Sequence, residues 1–260
     1  MTMLLDTFWL ELDNFAKLWQ YVCTTYPYGL VESIVGTVVL TIGFVVPATM
    51  YLVMDQFPSF AKARKIQPWE KQPTPEKTRQ AIIYSLLNYF YTCATVFGYH
   101  WLLGWRTSTY RFEPELPTPL GFVTEFACGI ALREVIFYYI HRLLHHKWFF
   151  WIHQKHHEFN TPIGFAAIYC HPIEMLVQNG LPIALPLAIC RGHFITQMLF
   201  ATYAVWDATA AHSGYTFGRL PTPELHDLHH EKPLQHYGVV GFMDTLHGTD
   251  RSPMRPSRLK

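Results

Sequence analysis

Long apolar runs dominate this sequence and restrict what it can fold into. One extends from Val31 to Met54, a second from Ala81 to Trp105, and a third from about Leu120 to Ile140. A helix of about 20 residues, rising about 1.5 Å per residue, crosses the roughly 30 Å hydrocarbon core of a bilayer. Charged residues make up only 15% of the chain, whereas soluble proteins usually contain roughly 25%. We therefore predict an integral membrane protein with about three helical spans.

Two further apolar runs, Ile173 to Cys190 and Phe194 to Ala211, are separated only by the residues RGH. The short connection, together with Pro182 and Pro186 in the first run, indicates a hairpin. We predict that this hairpin enters the membrane and returns to the side that it left.

The distribution of basic residues predicts the orientation in the membrane. The loop from Asp55 to Gln80 carries six Lys or Arg residues, whereas the first thirty residues carry Lys17 alone. Cytosolic loops are enriched in Lys and Arg, so we expect this loop to be cytosolic and the N-terminus to lie outside or in a lumen. Following the chain through the spans places the histidine-rich segments on the cytosolic side. A basic C-terminal tail is expected there too: Arg251, Arg255, Arg258 and Lys260.

Histidines are concentrated in two segments of the second half. HRLLHHKWFFWIHQKHHEF covers residues 141–159, and HDLHH covers residues 226–230. Their spacing by three and four residues brings side chains together on one face of a helix. Neutral imidazole binds zinc, iron, copper and nickel, and a set of eight or more suits two ions. The predicted metal ligands are His141, His145, His153, His156, His157, His212, His226, His229 and His230.

Several neighbours of these residues have open roles. His146 adjoins His145 but points about 100° away around a helix, so only one of the two fits the face of His141, and we favour His145. His171 could be a ligand, could support one, or could start a helix. Acidic residues beside the clusters either orient imidazoles through their second nitrogen or are solvated surface charges. These are Glu158, Asp207 and Asp227.

The motifs HRLLHH, HQKHHEF and HDLHH resemble the three histidine boxes of the fatty acid hydroxylase superfamily. The segments HSGY, PELHDLHH and MDTLHGTD are similar to its sterol C-4 methyl oxidase branch. The resemblance covers about residues 131–250. In relatives with a larger ligand set, a further histidine stands one helical turn before His212. Here Ala208 occupies that position with Asp207 beside it, so one metal would have fewer ligands or would use the acid.

The resemblance implies a multi-pass enzyme of the endoplasmic reticulum membrane with a non-haem di-iron centre. It implies O2 as co-substrate and electrons from NAD(P)H delivered through cytochrome b5 and its reductase. The implied reaction is a monooxygenase attack on an unactivated C–H bond of a lipid. A C-4 methyl sterol is the first candidate substrate. A sphingolipid or fatty acyl chain is the second, with desaturation as a variant.

We thus predict an all-α membrane bundle carrying a cytosolic histidine-rich cap for two metal ions. Residues 1–119 would form a membrane region with two spans and the basic loop, and residues 120–260 the hydroxylase domain. The net charge of +1 argues against a nucleic-acid-binding protein, which would carry clustered Lys and Arg on a strongly basic domain. Two other classes remain: a membrane metal-binding or transport protein, and a non-catalytic scaffold for lipid enzymes.

Overall fold

The computed structural model describes residues 2–217 and 222–250, and these residues are predominantly helical. Within them no β-sheet forms, and only two isolated bridges occur. Short 3₁₀ segments and the π-helical segments Thr41–Val45 and Met175–Gly180 lie between or within the α-helices. The all-α prediction is confirmed. In chain order the α-helices are α1 Thr2–Thr25, α2 Tyr28–Leu40, α3 Val46–Met54, α4 Pro58–Arg64, α5 Pro75–Leu102, α6 Pro119–Leu144, α7 Phe150–His153, α8 Pro172–Glu174, α9 Leu181–Ile189, α10 Phe194–Ala211, α11 Thr222–Glu231 and α12 Phe242–His247.

Three long helical segments start at residues whose side chains accept a backbone hydrogen bond. Thr74 accepts from Lys77 before α5, and Thr118 accepts from Gly121 before α6. His193 accepts from Ile195 before α10. Proline follows immediately in the first two cases, where the missing N–H costs nothing because no partner exists in the first turn. These hydrogen bonds therefore define where α5, α6 and α10 begin.

Three helical segments are long and apolar enough to cross a membrane: Tyr28–Met54, Pro75–Leu102 and Pro172–Ile189. The first two match the first two predicted spans. The predicted span from Leu120 to Ile140 is helical, as part of α6, but it is not among the three. Its apolar run contains Glu125, Arg133 and Glu134, and the crossing of the membrane by α6 stays a prediction. The first half of the predicted hairpin is also long and apolar enough to span a membrane.

The hairpin runs through the bundle to the end opposite the histidines. Its turn is joined to the loop between α5 and α6, where the Arg111 amide donates to the Gly192 carbonyl at 3.0 Å. The Phe194 amide donates back to the Arg111 carbonyl at 2.9 Å. Both outer ends of the hairpin, near Glu174 and His212, lie at the histidine end. The turn and the histidines are thus separated by the length of α10.

The basic loop predicted to be cytosolic lies at the histidine end of the bundle. Buried Lys65 donates to the Ser213 carbonyl at 3.1 Å and pairs with Asp55 at 2.9 Å. Gln67 donates to Asp227 at 2.8 Å, which ties the loop to α11. The loop and the histidines therefore share one side, as the charge distribution predicts. The predicted basic tail, residues 251–260, lies outside the described residues.

The predicted domain boundary at residue 119 coincides with the start of α6. Helices before and after it pack closely together, since α10 contacts α2 and the adjoining π-helical segment Thr41–Val45. The shared core includes Phe44, Ala81, Phe165 and Val205. The division into two domains stays a prediction.

The charged residues of α6 point inward, as expected, but they do not pair with each other. The Arg133 guanidinium donates to Asp207 at 2.9 Å and to the Ala204 carbonyl at 3.0 Å. The Glu134 carboxylate accepts hydrogen bonds from four backbone amides, at 2.7 to 3.2 Å. These amides belong to Val239, Val240, Gly241 and Met243. Glu134 therefore holds the segment that follows α11 against α6.

We expect Glu134→Gln to destabilise the protein by about 3 kcal/mol. The glutamine side chain offers only one acceptor oxygen, and its NH2 group would face backbone N–H groups that need an acceptor. Thermal unfolding of the detergent-solubilised protein measures the change. Glu115→Gln, at an exposed position, is the control and should leave the melting temperature within about one degree. Equal melting temperatures for the two variants would contradict this role of Glu134.

Candidate metal centre

The nine histidines predicted as metal ligands come together at one end of the bundle in two groups. Within each group, one ligand nitrogen from every residue lies within 4.8 Å of the others. The five-histidine group consists of His141, His145, His153, His157 and His229. The four-histidine group consists of His156, His212, His226 and His230. Seven of the nine are buried, and His145 and His157 are partly buried.

The two H-x-x-H-H motifs each divide their histidines between the groups in a reciprocal manner. His153 and His157, four residues apart, enter the five-histidine group, while His156 enters the other. His226 and His230 enter the four-histidine group, while His229 enters the first. Residues four apart share a helical face, whereas adjacent residues diverge by about 100°. Each motif therefore contributes histidines to both groups.

Fixed hydrogen bonds determine which nitrogen of several rings faces inward. In each case Nδ1 donates to a carbonyl or carboxylate oxygen, at 2.7 to 2.8 Å. A neutral imidazole that donates through Nδ1 carries its lone pair on Nε2. The pairs are His141 with the Tyr237 carbonyl, His153 with Glu174 Oε1, His212 with the Ala208 carbonyl and His229 with the Gln235 carbonyl.

The inward-facing Nε2 atoms lie very close together. His141 Nε2 is 3.1 Å from His153 Nε2, and both carry lone pairs, so no hydrogen bond relieves the contact. In the other group, His226 Nε2 is 2.8 Å from His212 Nε2. Nitrogens bound at about 2.1 Å to one metal ion and at right angles to each other are about 3.0 Å apart. Both groups therefore have the spacing and the ligand chemistry of a metal site.

The protonation state of the histidines also favours metal binding. Burial lowers the pKa of His157 to about 3, with a further contribution from His229. Burial also lowers the pKa of His212 to about 4, compared with about 6.5 for an exposed imidazole. Burial and the surrounding imidazoles lower the pKa of His156, His226 and His230 well below the usual range. The rings are neutral at physiological pH and have a lone pair available for a metal.

Two histidines with open roles lie outside both groups. His146 is exposed, and its Nδ1 accepts from the Trp148 amide at 3.5 Å. The structure thus brings His145, and not His146, to the face of His141. His171 accepts from the Ile173 amide at 3.2 Å and so starts α8, which is the helix-start role considered for it.

The three acidic residues proposed to orient imidazoles have other partners. Glu158 accepts from the Tyr169 hydroxyl at 2.7 Å, and Asp207 pairs with Arg133 at 2.9 Å. Asp227 is buried and accepts from Gln67 at 2.8 Å. Neither Glu158 nor Asp207 hydrogen-bonds a histidine among the described residues. Asp207 lines the smaller cavity but belongs to neither histidine group, and its use as a ligand in place of a histidine at position 208 stays a prediction.

Sequence reasoning missed the carboxylate that does hold a ring. Glu174 is 1% exposed, and its Oε1 accepts from His153 Nδ1. The signal available in the sequence was an acidic residue at the very start of an apolar span, where a charge has no solvent to face. The Tyr237 and Gln235 carbonyls were missed because nothing in a side-chain pattern identifies a backbone acceptor.

Two cavities adjoin at the metal centre. The smaller, of about 40 Å³, is lined by histidines of both groups and by Glu174 and Gln178. The larger, of about 220 Å³, lies among α2, α5 and α10 and is lined mainly by apolar side chains. Ala167, Asn179 and Ala208 line both. An apolar space within the bundle therefore lies next to the cavity that the histidines line.

The fold and site define a helical membrane protein with two adjoining histidine sites that could hold metal ions. Comparison with known sequences agrees, since the model of the fatty acid hydroxylase family matches residues 126–249. The chain is 42% identical over 207 residues to human (Homo sapiens) fatty acid hydroxylase domain-containing protein 2, an alignment that covers 77% of this chain and 61% of that protein. It is 30% identical over 217 residues to very-long-chain aldehyde decarbonylase GL1-11 of Oryza sativa subsp. indica, covering 77% of this chain and 78% of that one.

A third relative is methylsterol monooxygenase 1-1 of Arabidopsis thaliana, 34% identical over 149 residues, which cover 52% of this chain and 50% of that protein. We find no solved structure that matches the chain. The chain belongs to the fatty acid hydroxylase family. It spans 61% of the length of the human relative.

We expect His226→Ala to reduce the metal content from two ions per chain to about one, because it leaves three ligands in the four-histidine group. His145→Ala leaves four ligands in its group and should retain more metal. Elemental analysis of the purified protein gives the stoichiometry, with exposed His146→Ala as the control that keeps both ions. A wild-type content of one ion per chain would be inconsistent with two separate sites.

Metal-free protein should lose stability on acidification. The folded-state pKa values of His157 and His212, about 3 and about 4, lie below the unfolded value of about 6.5. The unfolded chain therefore binds more protons, and stability is full above about pH 6.5 and falls as pH approaches 4. Melting temperatures measured from pH 7.5 to 4.5 test this, and a flat profile would refute it. Added metal should raise the whole curve, because it binds only the folded site.

Proposed function

We propose that this protein is a membrane di-iron oxygenase that oxidises an unactivated C–H bond of a lipid. One observation carries the proposal: the apolar cavity among the candidate spans shares lining residues with the cavity between the two histidine groups. A lipid lying in the first cavity would have one end at the metals. The nitrogen-only ligand set suits iron among the metals that imidazole binds, and iron is the metal that the family resemblance implies.

Two iron ions bound there would activate O2, which is the oxidant, with electrons from the external donor. The chain's own residues supply binding and position. Nδ1 hydrogen bonds hold the rings in one orientation, and the Arg133–Asp207 pair fixes α6 to α10 beside the site. Apolar side chains such as Phe137 and Val239 line the smaller cavity and limit the water that can enter. Selectivity between carbons would follow from which atom reaches the histidines.

Ala208 has a particular place in this scheme. It stands where relatives with more ligands have a histidine, and it lines both cavities. A small side chain at this point leaves the passage between the cavities open. We infer that the four-histidine group is complete without a ligand from position 208, and that the missing histidine gives the lipid access.

We propose a C-4 methyl sterol as the first candidate substrate. The methylsterol monooxygenase relative supports it. The aldehyde decarbonylase relative, which aligns over more of the chain, supports an acyl lipid as the second candidate. Oxidation of a ceramide or fatty acyl chain, or its desaturation, would use the same site and the same cavity.

The electron donor and the compartment are part of the proposal. We propose an endoplasmic reticulum protein whose histidine end faces the cytosol, with NAD(P)H electrons arriving through cytochrome b5 and its reductase. The basic loop lies at that end, and its exposed Lys62 and Lys71 suit an acidic donor domain.

Deletion of the protein in cells that express it, followed by joint profiling of sterols and sphingolipids, tests the substrate. Accumulation of 4-methyl sterols supports the first candidate, and a fall in hydroxylated ceramides the second. No change in either class after deletion would refute a lipid oxygenase. If deletion does change the lipids, full restoration by a chain bearing His156→Ala would refute a metal-dependent one.

We expect Ala208→Leu to reduce lipid oxidation at least about 10-fold while both metal ions are kept, because the larger side chain closes the passage between the cavities. Product formation by the reconstituted enzyme, together with metal content, measures the two effects separately. Ala210→Leu on the same helix, at a position that lines neither cavity, is the matched control. Full activity of Ala208→Leu would show that lipid reaches the metals by another route.

A further inference from the structure

The smaller cavity contains polar atoms that the described structure leaves without partners. Gln178 is 3% exposed, and neither its Nε2 nor its Oε1 has a hydrogen-bond partner. Glu174 Oε1 accepts a hydrogen bond from His153 Nδ1, but Glu174 Oε2 has no partner either. Both residues line the cavity between the histidine groups. Leaving a buried polar group unpaired costs about 1–3 kcal/mol, so this cavity is built to receive a polar group.

The local backbone explains how the amide comes to be there. Gln178 lies in the π-helical segment Met175–Gly180, inside a candidate membrane span. A π-helical turn shifts the register of the side chains that follow it, and such turns are frequent at functional sites. Asn179, the next residue, lines both cavities. The segment therefore presents amide groups at the junction between the lipid space and the metals.

The chemistry of these atoms distinguishes between polar groups. The amide Nε2 is a donor, whereas the amide Oε1 and the carboxylate Oε2 are acceptors. A hydroxyl both donates and accepts, so one hydroxyl can satisfy atoms of both kinds. A ketone or ester oxygen only accepts, and a methyl group does neither. The volume of about 40 Å³ has room for such a small group and not for the body of a lipid.

Resting on the proposed oxygenase function, we propose that Gln178, with Glu174, binds a hydroxyl group of the lipid substrate beside the metal centre. The lipid then enters the smaller cavity with its hydroxyl-bearing end first. The carbon that reacts lies within a few bonds of the carbon that bears the hydroxyl. A lipid with a hydroxyl near the reacting carbon is therefore favoured over an unsubstituted acyl chain, whose methylenes would leave these atoms unpaired.

The larger cavity offers less to a hydroxyl than the smaller one does. Its Gln197 is also 3% exposed; Nε2 donates to the Ile183 carbonyl at 3.1 Å, so only the acceptor Oε1 of this side chain is without a partner. Gln197 does not line the smaller cavity. The remaining wall is formed mainly by apolar residues such as Leu40, Phe44 and Val205. This space suits the hydrocarbon body of the lipid, with the oxygen function at the metal end.

The test measures binding without turnover. Metal-loaded full-length protein, kept anaerobic and without reductant, is titrated with a 4-methyl sterol that has a free 3-hydroxyl and with its 3-deoxy and 3-keto counterparts. We expect the alcohol to bind at least about 10-fold more tightly than the deoxy compound, with the ketone between them. Gln178→Met, which preserves size and flexibility, should reduce that ratio to about one with both metal ions retained. Gln197→Met is the matched control and should keep the preference.

Equal binding of alcohol and deoxy sterol by the wild type, or an unchanged preference in Gln178→Met, would overturn the proposal and mean that Gln178 binds only water. The wild-type comparison stands even if the variant does not fold. A protein that oxidises lipid without this preference refutes the role of Gln178 alone. A protein that oxidises none of the three sterols and no acyl lipid, under air and with reductant, refutes the proposed function as well.

Discussion

Nine imidazoles whose lone pairs converge in a buried space are the constraint on which the rest of this structure depends. Where Nδ1 is committed to a carbonyl or carboxylate, as in His141 and His153, the two Nε2 atoms meet without a proton between them. Burial keeps the rings neutral, so the repulsion is not relieved by protonation at physiological pH. Metal cations between the nitrogens convert this unfavourable arrangement into a favourable one. The fold is organised to hold it.

The supporting structure comes from distant parts of the chain. Glu134 on α6 accepts hydrogen bonds from four backbone amides of the segment after α11. In the same segment, the carbonyls of Tyr237 and Gln235 accept from His141 and His229. Arg133, on the same helix, fixes Asp207 of α10. Three buried hydrogen-bonding systems therefore converge on one metal centre. Helices before residue 119 line the neighbouring apolar cavity together with α10 and the segment Met175–Gly180.

Much of this could be predicted because the relevant signals are local. Apolar length predicted the first two spans, and histidine spacing predicted the set of residues that the structure brings together. The prediction of α6 as a span is not tested by composition, because its apolar run contains the charged residues Glu125, Arg133 and Glu134. Glu158 and Asp207 were predicted to orient histidines because they are adjacent to them in sequence. Adjacent side chains point in different directions, and these two carboxylates hydrogen-bond Tyr169 and Arg133 instead.

The sequence by itself determined that this is a helical membrane protein with histidines enough for two metal ions, because hydrocarbon thickness and imidazole chemistry act on composition and spacing alone. Only the tertiary structure decided that His229 joins His153 and His157 while His156 joins His226 and His230, and that Glu174 and Gln178 face the space between the groups. These features depend on the angle at which α11 approaches the segment around His156 and on a π-helical turn in Met175–Gly180. Both are set by packing between residues far apart in the chain, which no local pattern encodes.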